Sequence, residues 1–214
     1  MFAINNIEGI ERQEQMIEGN HIILFLLIKP SDTDAEKYFR QYHYLNCKSD
    51  KYCSIYLIGY SDRFDDNRYS DAVTVGEINL GNEIQYSDTC FIDACDNMKK
   101  RLKHWSYSGE PELIVLQNSS VDNPRSQLDF SNYVYIDINY GIEKGYVDSF
   151  PRFMERLLEA AKQEVTAKDA VTSANRKRMK ARNIIEFALE QDEKLPKPLK
   201  KVLADKTFYK SYRG

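Results

Sequence analysis

An α/β fold with a mixed central sheet flanked by helices is predicted for this 214-residue chain by three observations. A continuous apolar run over 22–28, closed by Pro30, reads as a buried central strand. A second such run over 53–59 follows it after one helical segment, the spacing of a βαβ unit with two parallel strands. Two further apolar runs, 111–116 and 133–138, are flanked by segments whose apolar residues recur every three to four positions, so helices are available for both faces of the sheet.

Each element has a local reason. Residues 7–19 carry Glu and Gln around Ile7, Ile10 and Met16 and end at Gly19-Asn20, which predicts a leader helix. Thr33 and Glu36 stand at capping-box spacing, and Ala35, Tyr38, Phe39, Tyr42 and Leu45 then form one apolar helical face. Residues 61–87 begin polar and acidic and contain Val73-Thr74-Val75 and Ile78-Asn79-Leu80, which fit either a small hairpin or a long excursion. Ser87 or Asp88 caps a helix with Phe91, Ala94, Cys95, Met98, Leu102 and Trp105 inward and four cations loading its last turns. The runs 111–116 and 133–138 are expected to pair antiparallel. Asp148-Ser149 with Pro151 opens a helix placing Phe153, Leu157, Ala161 and Val165 inward. Beyond Lys168 one long helix is expected, broken at Pro196 and Pro198 before a short basic helix ending at Phe208-Tyr209. The organisation read is an α/β domain over 1–168 and a basic helical extension over 169–214.

Composition narrows the function classes. Hydrophobic residues make up 42% and charged residues 29%, which places the chain among folded globular proteins rather than disordered or fibrous ones. The longest apolar run is too short to span a bilayer and follows an acidic segment, so neither a signal peptide nor an anchor is expected. Four cysteines without an export signal then fit reduced thiols in a cytoplasmic protein. Charge is uneven: 12 Lys and Arg stand against 6 Asp and Glu after residue 168, and 18 against 27 before it. A basic tail on an acidic body serves either as a contact surface for another macromolecule or as a strap on its own domain.

The order helix, strand, helix, strand, excursion, helix, strand, strand, helix, with Pro111 ahead of the third core strand, resembles the thioredoxin-like fold over residues 1–168. That resemblance implies an active-site position at Pro30-Ser31-Asp32-Thr33-Asp34, where the first core strand meets the next helix, and a cis-proline at Pro111. Neither Ser31 nor Asp34 is cysteine, so the dithiol chemistry of that family does not carry over.

Other chemistry is weakly encoded. Cys47 with Cys53 and Cys90 with Cys95 could in principle hold zinc, but the spacings are not those of zinc modules, and Cys53 and Cys95 fall on apolar faces. Cys47, beyond the predicted helix among polar residues, is the better candidate for a reactive thiol. Asp62, Asp65, Asp66, Asn67 and Asp71 lack the order of a calcium loop and read as a solvated loop. Glu112 and Asp137 could pair for acid–base work, although no His, Lys or Arg is tied to them by spacing. No phosphate loop, nucleophile elbow or zinc-protease helix occurs, and no metal or cofactor is expected. The cations Arg176, Lys177, Arg178, Lys180 and Arg182 fall within two helical turns, yet acidic residues follow at once on the same predicted helix, which favours a protein contact over nucleic acid.

The sequence therefore points to a non-catalytic thioredoxin-like accessory subunit that binds another protein. Two alternatives stand beside it. One is an enzyme with a degenerate site at Ser31, Asp32, Asp34, Glu110 and Pro111. The other is a nucleic-acid-binding protein acting through the basic helix.

Overall fold

The computed structural model of the chain describes residues 2–4, 7–17, 22–32, 45, 49, 53–64, 67–78, 82–118, 128–145, 149–162 and 209–212. In chain order they form β1 (Phe2–Ile4), α1 (Ile7–Glu14), β2 (Ile22–Leu27), β3 (Cys53–Ile58), β4 (Tyr60–Ser61), β5 (Val73–Ile78), β6 (Asn82–Tyr86), α2 (Asp88–Arg101), β7 (Glu112–Asn118), β8 (Leu128–Asp137), α3 (Ile138–Glu143), α4 (Phe150–Ala161) and β9 (Tyr209–Tyr212). The architecture among these residues is α/β, with one mixed sheet ordered β1-β3-β2-β7-β8-β9 and a smaller sheet ordered β4-β6-β5.

The two apolar runs lie where their composition sends them. Every residue of β2 and β3 is buried, because both faces of these central strands are covered. The two run parallel, as the βαβ spacing predicts, and β1 joins β3 parallel on its other side. β7 then runs antiparallel to β2, and β8 antiparallel to β7. Of the helix predicted between β2 and β3, Leu45 is among the described residues and is helical and buried, whereas 33–44 lie outside them.

Helix α1 is shorter than the pattern suggested. Ile7, Ile10 and Glu14 share its buried face, and Met16 lies past its end and is exposed. The Glu14 carboxylate, fully buried, is kept there by the Tyr56 hydroxyl of β3, which donates to it. A buried carboxylate is tolerated only with such a partner.

Helix α2 shows its cap plainly. Ser87 is the N-cap, its hydroxyl oxygen accepting from the Cys90 amide at 3.0 Å. Asp71 adds a second cap from the preceding loop, accepting from the Thr89 amide at 2.9 Å and from the Ser87 hydroxyl at 2.8 Å. Phe91, Ala94 and Met98 are buried as predicted; Leu102 and Trp105 are buried too, but beyond the helix, which stops at Arg101. The chain leaves the helix at Leu102, whose φ of −92° and ψ of 107° are extended, and then turns through His104, whose φ of 66° is left-handed. Ser87→Ala is expected to lower stability by about 1–2 kcal/mol, the usual cost of a lost N-cap, measured by urea unfolding.

Of the two readings of residues 61–87, the described residues show the antiparallel pair. β5 and β6 pair antiparallel with a register shift between Thr74 and Gly76, and β4 adds to β6. The chain passes from the large sheet to the small one at Gly59, whose φ of +84° suits glycine, and whose carbonyl accepts from the Ser87 amide at 3.1 Å.

β1, α3 and β9 are among the short elements that escaped the sequence reading. β1 has three residues and α3 six, both below the length at which a period declares itself. α3 starts because the Asp137 carboxylate accepts from the Tyr140 amide at 2.8 Å, so the run read as a strand through 138 ends at its cap. The third is β9: where a short helix ending at Phe208-Tyr209 was expected, Tyr209–Tyr212 is a strand antiparallel to β8. Tyrosine-rich composition suits a strand, and an extended segment can complete the open edge of β8. Helix α4 has Phe153, Leu157 and Ala161 buried and Pro151 in the first turn, as predicted, and Val165 lies outside the described residues. The long helix expected after Lys168 lies outside the described residues. No helix among the described residues is long and apolar enough to cross a membrane.

Candidate functional site

Among the described residues, strand register builds a place where predicted site residues meet. Leu27, the last residue of β2, lies opposite Glu112, the first of β7. The segments leaving that end of the sheet, 28–32 and 108–111, are therefore neighbours. The parallel β3 ends at the same edge and delivers Tyr60, whose hydroxyl donates to the Ile28 carbonyl at 2.8 Å.

Four of the five residues assigned to the degenerate site are described, and they gather here: Ser31 is exposed, Asp32 partly buried, Glu110 exposed and Pro111 buried. Asp34 lies outside the described residues, as do Arg176, Lys177, Arg178, Lys180 and Arg182 of the basic cluster. Asp32 closes a tight turn: its carboxylate accepts from the Lys29 amide at 2.7 Å while its own amide donates to the Lys29 carbonyl at 3.1 Å. Desolvation raises its pKa, and the negative charge of Glu110 pushes the same way against the Lys29 amide and ammonium. Glu110 in turn accepts from the Asn139 side chain at 2.7 Å. Pro111 does open β7, but the expected cis bond is absent; the described peptide bonds are all trans. Its carbonyl instead accepts from the Ile138 amide at 3.1 Å, tying the head of β7 to the start of α3.

The residues that surround this turn were not singled out from sequence. Tyr60, Tyr86, Phe91 and Tyr107 form a chain of rings, with centroids 4.8, 6.1 and 5.0 Å apart in that order. Lys29 lies over Phe91 at 5.2 Å from its centroid and pairs with Asp88 at 3.1 Å. Tyr86 donates to the same Asp88 oxygen at 2.9 Å. Because Tyr86 belongs to β6, that strand brings its ring against Tyr60 and Phe91 at this end of the sheet. No periodicity links Lys29, Tyr60, Tyr86 and Tyr107, so only the fold could assemble them.

Glu112 sits beneath the turn and is fully buried. Its carboxylate accepts from the Trp105 indole at 3.1 Å, the Ser108 amide at 2.8 Å and the Tyr135 hydroxyl at 3.2 Å. Burial raises its pKa despite those three donors. The acid–base pairing weighed for Glu112 and Asp137 gains no support: Asp137 caps α3, and Glu112 organises the 105–108 loop.

The described thiols are poorly placed for chemistry. Cys53 opens β3 inside the core, and Cys90 lies in a small separate cluster with Phe64 and Tyr69. Burial lifts Cys53 far above the ordinary thiol value, and lifts Cys90 and Cys95 to about 12. Cys47 lies outside the described residues. Alkylation of the native chain at about pH 8 should leave Cys53 and Cys90 unmodified until urea is added, which peptide mass mapping reads directly. Among the described residues no three His, Cys, Asp or Glu side chains converge on a metal position. Of the acidic excursion, Asp71 is a helix cap, and its hydrogen bond from the Thr89 amide holds its carboxyl below the usual range.

No protein-family model, characterised protein or solved structure gives a significant match to this chain.

Proposed function

We propose that the chain is a thioredoxin-like protein without redox activity, acting as an accessory subunit that binds another protein in the cytoplasm. The fold part of this reading is supported by the sheet itself. β3, β2, β7 and β8 are adjacent in that order, the first two parallel and the remainder antiparallel, with Pro111 at the head of β7.

The observation that carries the non-catalytic part is the fate of Asp32. At the position where the family would carry its reactive motif, this carboxylate is consumed in closing the 29–32 turn. The described thiols are buried or driven toward the protonated form, which makes them poor nucleophiles. A degenerate enzyme is the second reading, favoured by Asp32 standing beside Glu110 with a raised pKa, the pattern of a carboxyl that could hold a proton.

Purification of the tagged chain from its native host at moderate salt separates these readings. The accessory-subunit reading expects a stoichiometric protein companion and no disulfide reductase turnover. A chain that emerges alone, or with nucleic acid released by salt, contradicts it.

A further inference from the structure

A small cleft of about 90 Å³ lies between the first turn of α1, the middle of α2 and the loop that precedes β5. Its floor is apolar, because Ile7, Tyr69 and Ala94 are all buried. Its rim carries charge of both signs. Glu8, Arg68 and Asp93 stand there exposed, and the half-buried Asn97 adds an amide. A cavity needs about 10–15 Å³ for each water it holds, so the cleft has room for a molecule of about six heavy atoms.

The polar groups of the rim are supported in place but keep bonding capacity. Arg68 lies over the Tyr69 ring at 5.2 Å from its centroid, and Tyr69 packs edge-on against Phe64 with 5.2 Å between centroids. Arg68 Nη2 donates to Asp93 Oδ2 at 3.4 Å, a long bond between side chains that are 61% and 51% exposed. So exposed a pair contributes little, and it leaves the guanidinium further donors and the carboxylate a second oxygen. The side chains of Glu8 and Asn97 have no hydrogen-bond or ionic partner among the described residues.

Charge decides what fits. A lone anion drawn to Arg68 would stand beside two carboxylates, and a lone cation drawn to Glu8 and Asp93 would stand beside the guanidinium. A small ligand that carries both charges avoids either penalty. We propose that this cleft binds a small free α-amino acid, with its carboxylate on Arg68, its ammonium on Glu8 and Asp93, and its side chain on the floor of Ile7 and Ala94. A guanidinium matches a carboxylate with paired N–H donors, and bonds between charged groups are about twice as strong as neutral ones. Alanine is a molecule of the size the cleft admits. The site shares no residue with the 29–32 turn, so it goes beyond the protein-binding reading and does not depend on it.

The test titrates the full nitrogen-15-labelled chain near neutral pH with L-alanine, L-lactate and L-alaninamide, following the backbone amide signals. Lactate has a hydroxyl in place of the ammonium, and alaninamide a neutral amide in place of the carboxylate, at nearly unchanged shape. Alanine is expected to give saturable shifts at residues 68–69 and 93–97, with a Kd on the order of 1 mM. Each analogue should bind at least ~10-fold more weakly, and Arg68→Gln and Glu8→Gln should each weaken alanine binding by about 10-fold. Unchanged signals elsewhere show that the variants keep the fold. Glu8→Gln breaks no side-chain contact among the described residues, so it decides the matter should loss of Arg68 disturb the loop. Absence of saturable shifts, or shifts centred on other residues, overturns the proposal. So does lactate or alaninamide binding as tightly as alanine, which would make the cleft a site for a single charge, and so does unchanged affinity in Glu8→Gln. A protein that co-purifies with the native chain is neither required nor excluded by any of these results.

Discussion

Gly59→Ala is expected to be one of the most damaging single-methyl changes in the chain, lowering stability by about 4 kcal/mol. Two costs combine. The backbone φ of +84° is a region that an L side chain enters at roughly 1–2 kcal/mol. A Cβ at this position would also stand 2.8 Å from Phe91 Cβ and 3.0 Å from Tyr86 Cε2. Phe91 Cβ is fixed to the backbone of α2 and its side chain is fully buried, so it cannot swing aside; overpacking of this kind costs about 1–3 kcal/mol. The change also strikes the joint between the two sheets and the acceptor of the Ser87 amide. Gly109 provides the comparison, because it has a φ of +96° with nothing within 4 Å of a built Cβ. Gly109→Ala carries the strain alone and should cost about 1 kcal/mol. Thermal unfolding of both variants separates strain from packing: the first should fall by about 10 °C and the second by only a few degrees. Equal shifts would mean that the close approach to Phe91 is not enforced.

The parts of this molecule that were legible in its sequence are those whose residues announce themselves locally. β2 and β3 are largely apolar runs, α2 has a stripe and a cap, α4 a stripe and a proline in its first turn, and the spacing between β2 and β3 was enough to predict a parallel pair. β1 and β9 were not legible, since three or four residues carry no period and their strand identity is conferred by the edge they join. The same division runs through the candidate site. Asp32, Glu110 and Pro111 could be placed together because topology brings the ends of β2 and β7 to one edge. The rings of Tyr60, Tyr86 and Tyr107 come from β4, β6 and the 105–108 loop, and nothing in their spacing declares that they meet. The possible pairing of Glu112 with Asp137 shows the limit clearly. Cross-strand register does place the two opposite each other, yet each carboxylate is taken by nearer donors.

Glu112 should give the other large effect, and its pH dependence carries a definite sign. Glu112→Leu removes the acceptor of three donors, of which the Trp105 indole is nearly inaccessible to water, and leaving such groups unpaired is expected to cost about 3 kcal/mol or more. Glu112→Gln keeps the shape and one acceptor oxygen but turns an amide toward donors, so a smaller loss of about 1–3 kcal/mol should result. Burial is the largest influence on the carboxyl and lifts its folded-state pKa above the ordinary 4.5, so the folded chain binds this proton more tightly than the unfolded one. The resulting stabilisation is complete below 4.5 and is lost as pH rises through the folded value. The other carboxylates, including the oppositely shifted Asp71, are common to both chains and cancel in a difference. The stability advantage of the natural chain over Glu112→Gln should therefore shrink steadily as pH is raised from about 4.5 toward neutrality, as read by urea unfolding at each pH. An advantage that instead grew with pH would mean that the three donors outweigh desolvation, and that Glu112 holds the 105–108 loop as a stabilised carboxylate. In either case the loop that carries Tyr107 and leads to Glu110 is folded around this one buried side chain, so the geometry of the site above it depends on Glu112.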